Sequence, residues 1–339
     1  MRNSKLIIGF LLILTILVGC RKKEGNFIAV RNLDEYHQTD FVPTLENGIS
    51  KDRNSIYCVT FLYAWDEIRS KIGAPIQIKQ SLSDLTLINN SRSFVESLKD
   101  EEYTATGIIE GKSIVAKAEF RKSLPFDINL ISYNHKLQFA GTWVESFGLR
   151  GHDYNRTQMV EIKYYQNDDN FILALHPKDK DQEIILFKSE NRFHSLAEMC
   201  SELDKLSVLG SRLKDGDNNW RYCIRKEDDI IIPKINFDIQ TNYKSIVGNT
   251  FHANKNEYNI GTAWQRTAFD FNEKGAEIES EAEAYVTSAL EKEEIDKPRP
   301  KTMKFDKPFL LILKRKDSVK PYFAIWITNP ELMKKNNCP

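Results

Sequence analysis

The chain has 339 residues, of which 41% are apolar and 28% charged, with 48 basic side chains balanced by 48 acidic ones. Such a composition fits one large globular domain or two small ones and excludes a low-complexity or disordered chain. The neutral balance offers none of the basic surface that nucleic acid requires, so no nucleic-acid partner is expected.

The first element is a targeting signal. Arg2 and Lys5 precede an apolar core over residues 6–18, too short to span a bilayer comfortably. It runs into Leu17-Val18-Gly19-Cys20, which looks like a bacterial lipobox with Cys20 as the lipidated residue and new N-terminus. An ordinary secretory signal with a chance cysteine is the alternative. The expected division is a signal peptide over 1–19, a polar lipid-anchored tether over 20–50 and one domain over 51–339. Acyl chains on Cys20 would hold that domain to a bacterial membrane outside the cytoplasm, at the periplasmic face or the cell surface, without a transmembrane helix. Without residues 1–19 the chain carries 46 basic and 48 acidic side chains. Export permits disulfides among Cys58, Cys200, Cys223 and Cys338. Their pairing is open, and buried free thiols are an equal alternative. No C-x-x-C pair is present, so zinc is not expected; no metal or cofactor is called for.

Further along, Trp65, Ile68 and Ile72 lie at helical spacing before the stop Gly73-Ala74-Pro75. Residues 82–98 read as a second helix. Residues 105–109 and 114–120 read as two strands joined through Glu110-Gly111-Lys112. The run Phe139-Ala140-Gly141-Thr142-Trp143-Val144-Glu145-Ser146-Phe147 reads locally as a strand with an exit turn and Trp143 as core filling. Residues 159–164 and 171–175 are strands around a polar turn. Leu196, Met199, Leu203 and Leu206 mark one face of a helix within 193–209. A strand region follows at 230–237. Near the end, residues 310–313 and 322–327 are two almost continuous apolar strands around a charged turn, which predicts a hairpin buried on both faces.

Between these strands lies a stretch of another kind, residues 272–294. After Gly275, a residue free to take positive φ, Ala276, Ile278, Ser280, Ala282, Ala284 and Val286 alternate with Glu277, Glu279, Glu281 and Glu283. Period-two alternation suits a strand with one buried face. Ala and Glu are also good helix formers, and Ile278, Ala282, Tyr285 and Ala289 fall at helical spacing. Helix and strand both stay open for this stretch alone.

With Ala268, Phe269, Asn272, Glu273 and Gly275 in register, the stretch resembles the hinge and reactive-centre loop of serpins, the serine protease inhibitors. Phe139, Gly141, Trp143 and Phe147 resemble the serpin motif F-x-G-x-W-x-x-x-F, and the terminal hairpin ending in Asn329-Pro330 resembles the serpin C-terminus. The resemblance covers about residues 139–333. It implies an α+β fold with a large mixed, mostly antiparallel central sheet, a second buried β-sheet, flanking helices and an exposed loop over about 273–304. The front half is several dozen residues shorter than the serpin pattern, and the helix motif S-P-x-S that supports the sheet's opening site is missing at Tyr57-Cys58-Val59-Thr60. Trp143 is expected beneath the point where the loop enters the sheet.

What the resemblance implies for function is an inhibitor rather than an enzyme, acting as a monomer on a serine or cysteine protease. The hinge would be Glu273, Gly275, Ala276, Ile278, Ser280 and Ala282, and family spacing puts the scissile bond at Ala289–Leu290, which suits an elastase-like protease. The alternative is a non-inhibitory binding or structural lipoprotein of the same fold. No G-x-S-x-G, H-E-x-x-H or phosphate-binding glycine loop argues for catalysis by the chain itself.

Overall fold

A computed structural model describes residues 27–99, 102–120, 122–215, 219–277 and 300–335. Its first part comprises β1 (Arg31–Asn32), β2 (Thr39–Phe41), β3 (Asn54–Cys58), α1 (Thr60–Ile72), α2 (Ser83–Asn90), β4 (Tyr103–Glu110), β5 (Ser113–Phe120) and β6 (Leu124–Pro125). The middle comprises β7 (Ile131–Phe139), β8 (Thr142–Arg150), α3 (Tyr154–Thr157), β9 (Val160–Asn167), β10 (Asn170–Leu175), β11 (Gln182–Lys188) and α4 (Leu196–Leu213). Then come β12 (Asp229–Pro233), β13 (Ile235–Asn242), β14 (Thr250–Ala253), β15 (Asn256–Asn272), β16 (Gly275–Glu277), β17 (Thr302–Lys304), β18 (Phe309–Arg315) and β19 (Phe323–Ile327). The class is α+β, with three sheets and few helices.

A seven-stranded sheet, in the order β2-β3-β19-β18-β11-β10-β9, is the core. Its central strands are apolar on both faces, and Phe171, Leu173, Ile184, Leu186, Leu311, Leu313, Phe323 and Ile325 are all fully buried. The predicted terminal hairpin is β18–β19, registered from Phe309↔Ile327 to Leu313↔Phe323. A four-stranded sheet has the order β17-β12-β8-β7.

The third sheet has eight strands and is built on the long β15. On one side β15 pairs with β13 in antiparallel fashion. On the other side its first part pairs with β5 in parallel, from Asn259↔Ser113 to Thr267↔Phe120. Only its last residues, Asp270–Asn272, pair with β16. Beyond β5 lies β4, joined directly by a turn at Gly111 (φ +62°). No helix intervenes between the two strands. Helix α1 packs against β4 and β5. It ends at Gly73, whose left-handed backbone (φ 61°) lets its N–H bond to the Arg69 carbonyl.

Three expectations are corrected. Residues 27–50 are no tether: β2 adds in parallel to β3, and Thr39, Phe41, Val42, Thr44 and Leu45 are buried. Four apolar side chains within ten residues, Tyr36, Phe41, Val42 and Leu45, suffice to dock a polar-looking segment. The helix predicted over 82–98 stops at Asn90, and Phe94 and Leu98 are buried from irregular backbone instead. The third concerns Trp143. Ala140 (φ 46°) and Gly141 (φ 81°) form a two-residue turn that folds Phe139 back onto Thr142. Positive φ at both central residues is the tight hairpin geometry. The motif therefore builds the β7–β8 hairpin of the four-stranded sheet, and Trp143 is 53% exposed there.

Candidate functional site: the two anchors of the loop

Residues 278–299 separate β16, in the eight-stranded sheet, from β17, in the four-stranded sheet. The described residues at either end of this segment are the candidate site.

At the entry end β15 turns through Glu273 and Lys274. The Asn272 Oδ1 accepts from the Lys274 N–H (2.8 Å), and its amide donates to Asp270 (2.9 Å). The carbonyls of Glu273 and Lys274 accept from the N–H groups of Leu130 and Phe126, both at 2.8 Å. Gly275 then has φ +126°, and a Cβ there would lie 2.3 Å from the Leu124 carbonyl oxygen. Both the backbone angle and the close approach require glycine. β16 runs antiparallel to β15 on one side and to β6 on the other, with Ala276 opposite Phe271 and Leu124. All three side chains are fully buried, and the Phe271 ring meets Phe147 edge-on at 5.0 Å. Gly275–Glu277 is thus strand rather than helix, with Ala276 on the buried face.

Lys234 clamps this turn. Its ammonium lies 2.9 Å from Glu273 and 3.5 Å from Glu145, and it donates to Ser132 at 2.9 Å. Burial pushes the Glu273 carboxyl up, but the Lys234 ammonium and a backbone hydrogen bond outweigh this and hold it below the usual carboxylate range. Farther along β15 the buried Gln265 accepts from the Tyr243 hydroxyl and donates to Thr60 (3.1 Å) and the Cys58 carbonyl (3.3 Å). The start of α1 is thereby tied to the strand next to β5 by a polar set unlike S-P-x-S.

At the exit end Lys301 is plugged into a closed socket. Its ammonium lies 2.7 Å from Asp228, with 1% and 0% of the two side chains exposed. It also donates to the carbonyls of Trp220 (3.1 Å) and Cys223 (2.9 Å), and it faces the rings of Trp220 and Tyr165 at 5.6 and 5.8 Å. The Lys301 N–H donates to the other Asp228 oxygen at 2.8 Å, and Thr302 N–H to Asp168 at 2.9 Å. Burial lowers the Lys301 pKa, and Asp228 opposes the shift.

Of the sequence-derived site residues, Glu273, Gly275 and Ala276 come together at the hinge. Trp143 does not join them; its neighbour Glu145 does, through Lys234. Ile278, Ser280, Ala282, Ala289, Leu290 and Cys20 lie outside the described residues. Sequence reasoning missed Lys301, Asp228 and Gln265, which have no local signature. For Lys234, Pro233-Lys234 before a strand was the available signal. Cys58, Cys200 and Cys223 are free thiols, and burial pushes the first two up to about 11 and about 12. Among the described residues no group of His, Cys, Asp and Glu has the arrangement of a metal site.

Comparison with known proteins gives no matching family model and no matching curated protein. Among solved structures the chain is similar to serpin-12 of Manduca sexta, with a TM-score of 0.39, 15% identity and coverage of 65% of this chain and 57% of that one. It is also similar to a serpin from the trematode Schistosoma haematobium, with a TM-score of 0.39, 12% identity and coverage of 66% and 58%. The chain spans less than two thirds of the length of either serpin.

Proposed function

We propose that this chain is a serpin-like protease inhibitor that works by loop cleavage and strand insertion. The observation that carries this is β16: the first loop residues already form a strand at one end of a parallel β15–β5 seam. A continuation of β16 would run antiparallel to both walls of that seam. One parallel ladder would be exchanged for two antiparallel ones, which are the slightly more stable kind per residue. The buried Ala276 sets the parity. Ile278, Ser280, Ala282 and Ala284 would follow it inward, and Glu279, Glu281 and Glu283 would stay on the wetter face.

In this mechanism a serine or cysteine protease, elastase-like in preference, attacks the Ala289–Leu290 bond and forms an acyl-enzyme. The freed strand inserts, carries the protease with it and distorts its active site before hydrolysis. The chain contributes bait and stored conformational energy, with no catalytic residue of its own. It acts as a monomer, held by acyl chains on Cys20 to a bacterial membrane outside the cytoplasm.

The test counts inhibitor molecules consumed per protease trapped, with covalent complex resolved on a denaturing gel. The unmodified protein is expected to trap an elastase and release a fragment starting at Leu290. Ala276→Arg, which puts a charge into a closed sheet, should turn it into a substrate, while Glu277→Arg should not. Cleavage without complex across a panel of serine and cysteine proteases would contradict the proposal.

A further inference from the structure

The chain does not end at the hairpin β18–β19. After the turn at Pro330–Leu332, residues 333–335 cross the hinge as a strap between two sheets. Met333 bridges Ile235 of β13, and Lys335 bridges Val144 of β8. The Lys334 N–H donates to the Lys234 carbonyl (3.0 Å), and the Lys334 carbonyl accepts from the Glu145 N–H (2.9 Å). Leu332 and Met333 are buried. Upstream, Glu331 accepts from the N–H groups of His37 (2.7 Å) and Gln38 (2.9 Å), which pins the strap's start to the N-terminal segment. The backbone of Lys334 is therefore fixed, and its side chain is delivered to one place.

That place is Asp270. The two groups are 3.0 Å apart, with 2% of the Asp270 side chain exposed. Asp270 is the residue that the β15–β16 register sets directly opposite Glu277. A carboxylate this buried is costly without a cation beside it. Of the acidic residues Glu145, Glu273 and Asp270, Lys234 serves the first two and Lys334 the third.

We infer that Lys334 is a positioning residue for the hinge: the C-terminal strap supplies the cation that keeps the buried Asp270 paired at the end of β15 where β16 docks. This rests on the proposed function only for its consequence. If β16 starts the insertion, loss of Lys334 delays it and more inhibitor is consumed as substrate. The placement itself is independent of any protease.

The experiment is hydrogen exchange at the amides of Ala276 and Glu277 in the intact, uncleaved protein, alongside the consumption assay. Lys334→Gln should raise exchange at these two amides about tenfold or more, and Lys334→Arg should leave it near the unmodified value. Adding Asp270→Asn to Lys334→Gln should restore protection, since no unpaired buried charge remains. Unchanged exchange in Lys334→Gln, or no restoration by Asp270→Asn, would overturn the inference. If the exchange results hold while the unmodified protein traps no protease, the inhibitor proposal fails and the role of Lys334 in positioning the hinge stands.

Discussion

The two ends of the loop are held in opposite ways. At the exit, the side chains of Lys301 and Asp228 are 1% and 0% exposed, and the ammonium also meets two backbone carbonyls. At the entry, Lys234 and Glu273 retain 10% and 23% exposure. Removing one partner of a buried pair leaves an uncompensated charge and is severe, whereas a pair in contact with water can re-solvate. The exit end is therefore the more tightly held of the two. In the proposed mechanism a cut between them frees the strand from its more tightly held end, and the entry end leads the insertion.

The largest effect is expected from breaking the exit end. Lys301→Met leaves the buried Asp228 without its ammonium partner and should cost about 3–5 kcal/mol in urea unfolding. The double variant with Asp228→Asn should recover much of that loss. If the single variant costs no more than a surface pair, the contrast between the two ends collapses.

A smaller effect should come from the hinge backbone. Gly275→Ala forces a side chain into a φ of +126° and against the Leu124 carbonyl. Strain of about 1–3 kcal/mol is expected, and β16 should detach, seen as faster proteolysis at the hinge with β13–β15 unaffected. Equal proteolysis of both proteins would contradict the close fit.

The smallest is electrostatic and depends on pH. The folded-state pKa of Glu273 is depressed. Its contribution is therefore present above the unfolded-state pKa and is lost as pH falls through the depressed folded value. The melting temperatures of the unmodified protein and Glu273→Gln should differ at pH 7 by an amount worth about 1 kcal/mol and converge in acid. A gap that widens on acidification would reverse the sign assigned to the Lys234 clamp.

Elements dominated by a single side-chain pattern were legible in the sequence. The buried hairpin followed from unbroken apolar runs and α4 from its apolar stripe, whereas the stretch at Ala276 carried two periodicities and stayed open between strand and helix. Trp143 was misplaced because a positive-φ turn at Ala140-Gly141 gives the same letters in a hairpin as in the resembled motif. Residues 27–50 were misread because their few apolar side chains dock on a surface built by residues far along the chain. The loop anchors were invisible for a related reason: Lys301 meets Asp228 across 73 residues, and no local pattern specifies such a pair.

The central claim is that the loop strand enters the β15–β5 seam once it is cut. The most direct test is the melting temperature of the protein before and after a single nick within residues 287–294. Insertion adds two antiparallel ladders and should raise the midpoint by more than about 10 °C, since each kcal/mol moves it by about 2 °C in a chain of this size. An unchanged or lowered midpoint would contradict insertion and favour a binding or structural role for the same fold.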